Sequence, residues 1–268
     1  MEEVEGVRAG SRLRLTPRGE EAPALIDDAD IRHLSVPRQL RYAVRGVEDD
    51  PEETWFLLHG YGQLAPRFLR YFGDLDDGSR LLVAPEGLHR HYLDRGERKV
   101  GASWMTSEDR LTDIQDYIEW LERLHDRVVG RVEEAGAPVE DAGAPVEAGG
   151  GPVEGGGPPV VTLGFSQGVH TLFRWLAFGR ARIDTAVLWG SHLPPDLDPE
   201  EHADALRRAR ILLVAGDRDP HFGPDAVARA EERLDEAGIP FRTLGFEGGH
   251  RIDRDVLARI ARLVREGG

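Results

Sequence analysis

Six short apolar runs rich in valine and leucine recur along this 268-residue chain, at Thr54 (TWFLLHG), Arg80 (RLLVAP), Pro159 (PVVTLGFS), Thr185 (TAVLWGS), Arg210 (RILLVAG) and Phe241 (FRTLGF). A run without polar alternation buries both faces of a strand, and the stretches between these runs are amphipathic at helical spacing. The alternation predicts an α/β fold with a mainly parallel central sheet and helices on both faces. All six runs are expected as buried central strands. RQLRYAV, from Arg38, alternates like an exposed or edge strand, and the weaker SRLRL run from Ser11 is expected to pair with it.

Leu111, Ile114, Ile118, Leu121, Leu124, Val128 and Val132 fall on one face of a helix predicted over 109–134. Further helices are predicted over 167–178, 225–237 and 253–265. Between the first helix and the strand at 160, proline recurs at 138, 145, 152 and 159 and valine at 139, 146, 153 and 160. A helix breaker in every seven-residue repeat rules out a coiled coil and predicts a flexible surface insertion over 135–159. Because it falls between a helix and a strand, it decorates one domain, predicted to span 1–268.

Thirty-four basic residues against 49 acidic ones give a net charge of −15, which argues against a nucleic-acid partner. No run is long and apolar enough for stable membrane insertion. Cysteine is absent, which removes disulfides, thiolate nucleophiles and cysteine metal sites. The acidic start MEEVEGVRAG lacks the features of a secretory signal, so a cytoplasmic protein is expected.

Gly164-Phe165-Ser166-Gln167-Gly168 matches G-x-S-x-G. The pentapeptide is short enough to arise by chance, and its setting carries the weight: it follows an apolar strand and opens a helix. In such a turn flanking glycines relieve crowding, and the helix N-terminus presents N–H groups to developing negative charge. A serine hydroxyl is a weak nucleophile and needs a histidine base, itself oriented by a carboxylate. Gly216-Asp217-Arg218-Asp219-Pro220 and Glu247-Gly248-Gly249-His250 each follow a strand, at the sheet edge where open α/β proteins bind ligands. Of the two aspartates, Asp219 lies deeper in its loop and is favoured as the acid; Asp217 is expected to bond backbone and hold the turn. His250 is the candidate base.

His59-Gly60-Tyr61-Gly62-Gln63 ends the first central strand. The N–H of Tyr61, or that of Gly62, together with the N–H of Gln167, would form an oxyanion hole, with His59 bracing the loop. HGYGQ, GFSQG, GDRDP and GGH in this order resemble the α/β-hydrolase superfamily, and more narrowly the phospholipase/carboxylesterase family that includes the acyl-protein thioesterases. The similarity spans 54–265, and Trp104 in GASWM resembles a tryptophan of that family. Met105-Thr106 departs from the Phe-Asp pair frequent in the thioesterases. The resemblance implies an α/β-hydrolase fold and a serine esterase with Ser166, Asp219 and His250 as its triad.

The segment 85–107, expected as a loop, carries Glu86, His89, His91, Tyr92, Trp104 and Met105 toward the presumed site. Gly62, Trp104, Met105 and Leu193 are the substrate-binding candidates, while the loop from Ser191 to Pro195 serves either as a pocket wall or simply as a turn. His89 and His91 with Glu86 form an incomplete ligand set, so no metal is predicted. The expected activity is hydrolysis of a small-molecule carboxylic ester through an acyl-enzyme, without cofactor and without a predicted homo-oligomer. The alternatives are thioester or lysophospholipid hydrolysis by the same triad, or a non-catalytic binding protein on the same scaffold.

Overall fold

A computed structural model describes residues 31–133 and 157–267. The candidate strand at Ser11 and residues 135–156 of the insertion lie outside the described residues. The chain divides into two units, 1–38 and 39–268. Residues 31–38 carry neither helix nor strand.

The second unit is built on seven strands, β1 (Tyr42–Gly46), β2 (Glu53–Leu58), β3 (Arg80–Pro85), β6 (Val160–Phe165), β7 (Thr185–Trp189), β8 (Arg210–Gly216) and β9 (Phe241–Phe246). They form one sheet in the order β1-β3-β2-β6-β7-β8-β9. All neighbours pair in parallel except β1, which runs antiparallel to β3 at one edge. Every residue of β2, β3, β6 and β7 is buried, as continuous apolar runs require when helices cover both faces. FRTLGF does not fit the expectation of a buried central strand. As β9 it forms the far edge and is only half-buried, because one flank has no neighbouring strand to cover it.

Alternate residues of each strand feed two apolar layers. Phe56 and Leu58 face one layer with Tyr117, Leu121 and Leu124 of α2 (Arg110–Glu133) and Leu172 and Trp175 of α3 (Gln167–Phe178). Trp55 and Leu57 face the other, with Phe68 and Phe72 and with Val256, Leu257 and Ile260 of α6 (Arg254–Glu266). The predicted helices appear within a residue or so of their expected limits, α5 as Pro224–Glu236. Asp253 caps α6 by accepting hydrogen bonds from the N–H groups of Asp255 and Val256. Two short helices, α1 (Ala65–Phe68) and α4 (Ala203–Leu206), and a 3-10 turn at Leu69–Leu75 had no periodic signature long enough to read.

The segment 85–107 is not a plain loop. It forms a separate antiparallel hairpin of β4 (His89–Asp94) and β5 (Lys99–Ser103), joined to the rest by a bridge between Gln63 and Ala102. Among the described residues no helix is long and apolar enough to cross a membrane.

Candidate active site

Parallel strands bring their C-terminal ends, and the loops that follow β2, β6, β7, β8 and β9, to one edge of the sheet. Ser166 sits where β6 turns into α3, with φ 54° and ψ −118°, a strained backbone for a residue with a side chain. The glycines of the pentapeptide explain how the turn closes. A Cβ on Gly164 would lie 2.3 Å from the carbonyl oxygen of Gly168, and one on Gly168 would lie 2.2 Å from that of Leu58. The Ser166 N–H donates to the Trp189 carbonyl at 2.9 Å, tying the turn to β7.

His250 Nδ1 donates to Asp219 Oδ2 at 2.8 Å, which leaves Nε2 with its lone pair. The Asp219 side chain is 2 % exposed and that of His250 is 21 % exposed. The other carboxylate oxygen, Oδ1, accepts from the N–H groups of His221 and Phe222 at 2.8 and 3.1 Å, so the acid is fixed from both sides. The His250 ring packs on Phe165, the residue before Ser166, at 4.7 Å between centroids. Asp217 does not reach the imidazole. Its Oδ1 accepts from Gly248 N–H at 2.7 Å and holds the β9 loop against the β8 loop.

Gly190, after β7, sits under the Asp219–His250 pair with φ +70°. A Cβ there would lie 3.3 Å from Asp219 Oδ2 and from His250 Nδ1.

The loop after β2 is stitched from within. Gly60 N–H donates to Gln63 Oε1 at 2.8 Å, and a Cβ on Gly60 would approach Ser166 Cβ to 3.1 Å. His59 is fully buried. Its Nε2 accepts from Gly87 N–H at 2.9 Å, so Nδ1 carries the proton donated to the Gly60 carbonyl at 2.8 Å. Burial pushes its pKa down and keeps the ring neutral. Gly62 N–H is committed to the Ala102 carbonyl at 2.8 Å, whereas the N–H groups of Tyr61 and Gln167 donate to no acceptor among the described residues. Of the two alternatives in this loop, Tyr61 is therefore the available donor.

Two of the substrate-binding candidates are buried. Trp104 is fully buried, stacked at 5.1 Å on His59 and donating from Nε1 to the His59 carbonyl, so its indole supports the β2 loop from beneath. Leu193 is 1 % exposed and belongs to the core. Apolar side chains next to a solvent-facing loop gain by turning inward, out of water. Gly62, through its committed N–H and φ +73°, shapes the loop. Met105 is partly exposed and accepts, at its sulfur, a contact from Arg174 Nη1 at 3.6 Å.

Glu86 is taken up by Arg41, Arg90 and the N–H of Ala65, and His89 by Asp113. Sequence reasoning passed over three contributors. The Gln167 amide bonds Ser103, Trp104 and Met105, His221 sits edge-on to His250 at 5.0 Å, and His170 pairs with His192 at 4.8 Å. His170 carried one usable signal, its place one helical turn beyond Ser166.

A mainly parallel sheet with one antiparallel edge, a strained serine between strand and helix, and an acid and a histidine on the later loops define the α/β-hydrolase fold. Solved structures of this architecture include a carboxylesterase from Mesorhizobium loti, 19 % identical, with 84 % of this chain and 94 % of that one covered and a TM-score of 0.61. Zea mays acyl-protein thioesterase 2 is 14 % identical, with 84 % and 98 % covered and a TM-score of 0.61. The Bacillus cereus carboxylesterase is 14 % identical, with 85 % and 95 % covered and a TM-score of 0.57. The likeness is one of fold. No family model matches the chain, and no curated protein matches it.

Proposed function

We propose that the protein is a serine hydrolase of carboxylic esters. The observation that carries this reading is the 2.8 Å bond from His250 Nδ1 to Asp219, on an imidazole packed against the neighbour of a serine held in a strained turn. Ser166 Oγ attacks the ester carbonyl while His250 Nε2 takes its proton. Asp219 holds the productive tautomer and stabilises the imidazolium as it forms. The oxyanion is received by the N–H groups of Tyr61 and Gln167, the second of which also lies at the positive end of α3.

Proton return from His250 to the leaving alcohol yields the acyl-enzyme. Water, deprotonated by the same Nε2, then releases the acid and restores Ser166. The cycle uses protein groups and water only.

Replacing Ser166 with Ala tests the reading. The wild type is expected to turn over short 4-nitrophenyl esters and to be labelled by a fluorophosphonate, and the variant to do neither. Retained turnover in a clean Ser166→Ala preparation would sink the assignment, and an inert wild type would return the chain to a binding role on the same scaffold. Comparing oxygen esters with matched thioesters separates ester from thioester preference.

A further inference from the structure

The loop that carries Tyr61 is gripped along its length by the hairpin of β4 and β5 and by the two roots of that hairpin. Gly87, before β4, donates from its N–H to His59 Nε2 at 2.9 Å, and Trp104, after β5, donates from its indole to the His59 carbonyl at 2.8 Å. His59 in turn donates from Nδ1 to the Gly60 carbonyl at 2.8 Å, which also accepts from Gln63 N–H at 3.2 Å. A trans peptide is planar, so fixing the Gly60 carbonyl also fixes the direction of the Tyr61 N–H across the same peptide bond.

Beyond Tyr61 the grip is direct. Gly62 N–H donates to the Ala102 carbonyl at 2.8 Å, and Ala102 N–H donates to the Gln63 carbonyl at 3.1 Å. A Cβ on Gly101 would lie 2.3 Å from the Gly62 carbonyl oxygen, and one on Gly62 would meet Leu93 Cδ2 at 3.1 Å. His91 shares the face of β4 that carries Leu93, because alternate residues of a strand point the same way. Tyr61 is 61 % exposed, and its ring lies 5.3 Å from that of His91, tilted by 33°. His91 Nε2 is buried and bonds no partner among the described residues, so this nitrogen adds nothing to the contact and the flat ring is what counts. The second oxyanion donor belongs to Gln167, whose side chain is tied to Ser103 at the end of the same hairpin.

We propose that the β4–β5 hairpin sets the oxyanion hole, with His91 and Gly101 as positioning residues for the Tyr61 N–H. His91 acts through the Tyr61 ring, and Gly101 acts by leaving room for the Gly62 carbonyl. This rests on the esterase reading, whose own failure shows differently in the test.

The experiment measures kcat and KM for 4-nitrophenyl butyrate, the melting temperature, and Ki for a trifluoromethyl ketone in the wild type, His91→Ala, His91→Phe and Gly101→Ala. Ser166 Oγ adds to the ketone carbon, its proton passes to His250 Nε2, and the carbonyl π pair moves onto the oxygen, which then occupies the hole as the reaction's oxyanion does. Loss of a whole oxyanion donor costs about 10^2–10^3 in kcat, and a donor left in place but loosened is expected to cost about tenfold. His91→Ala should therefore lower kcat about tenfold with KM held within about twofold, and raise the ketone Ki by about the factor that kcat/KM loses. His91→Phe keeps a flat ring against Tyr61, and its kcat should return to within about threefold of wild type. Gly101→Ala should lower kcat further than His91→Ala does, and if it does not fold the two His91 variants decide. Wild-type kcat in His91→Ala or in a folded Gly101→Ala, a loss confined to KM, an unchanged ketone Ki, or a Phe variant as slow as the Ala variant overturns the proposal and leaves the esterase reading intact. A wild type that neither hydrolyses the ester nor is labelled by a fluorophosphonate ends the esterase reading and this inference with it.

Discussion

Gln167 follows Ser166 in the chain, yet its side chain is bonded to the segment that ends β5. Nε2 donates to Ser103 Oγ at 3.0 Å and to the Met105 carbonyl at 3.2 Å, while Oε1 accepts from Trp104 N–H at 3.2 Å. Its amide thus clamps the hairpin to α3, while its backbone N–H is the donor that the proposed mechanism assigns to the oxyanion. Gln167→Ala keeps the N–H and removes the clamp. We expect a loss of stability of about 1–3 kcal/mol and a fall in kcat/KM of roughly tenfold, with fluorophosphonate labelling slowed but not abolished. Unchanged melting and kinetics would show that the clamp does not matter.

The two aspartates of the β8 loop should separate cleanly. Asp219→Asn preserves shape but removes the charge that sets the His250 tautomer, so kcat is expected to fall by about 10^4-fold with little change in melting temperature. Asp217→Asn keeps an oxygen that can accept from Gly248 N–H, and its kcat should stay within about threefold of wild type. Steady-state kinetics on one ester decides the order, and a larger loss at Asp217 would reverse the assignment.

Gly190→Ala sets a side chain on a left-handed backbone and 3.3 Å from both members of the Asp219–His250 pair. The backbone alone costs about 1–2 kcal/mol. Displacement of the imidazole should lower kcat far more than that stability loss explains, because the variant stays folded at assay temperature. Circular dichroism together with kcat measures the two effects separately.

Stability should fall on mild acidification. Burial, the neighbouring His192 and the Arg174 charge lower the His170 pKa to about 4, against 6.5 in the unfolded chain. Between these values the unfolded chain binds a proton that the folded chain refuses, so stability drops as pH falls from 6.5 toward 4. His59, lowered by burial, acts in the same direction. Asp196 contributes lower down: burial works against its ionisation, but hydrogen bonds from Arg110 and Arg174 outweigh it and bring its pKa to about 2. Its share is lost as pH falls below 3.8. Melting temperatures measured from neutral pH down to about pH 3 should show both segments, and His170→Gln should shrink the upper one to the His59 share while sparing the lower.

Much of the fold was legible because burial on both faces of a strand leaves an unbroken apolar run, which marked β2, β3, β6, β7 and β8 directly. β9 misled, since a run's composition does not say whether a neighbour covers its second flank. The hairpin at 89–103 was hidden because its polar alternation, HRHYLD, resembles a loop and its partner strand is only five residues long.

At the site, the residue types and their order along the chain were determined by the sequence alone, because a serine between strand and helix needs glycines on either side and a base and an acid on later loops. Only the tertiary structure decided where each side chain points. It turned Trp104 and Leu193 into the core, bonded Asp219 rather than Asp217 to His250, spent the Gly62 N–H on Ala102, and set His170 against His192. Such choices depend on which partners lie within about 3 Å, and chain neighbours do not encode distances between loops that meet only when the sheet is assembled.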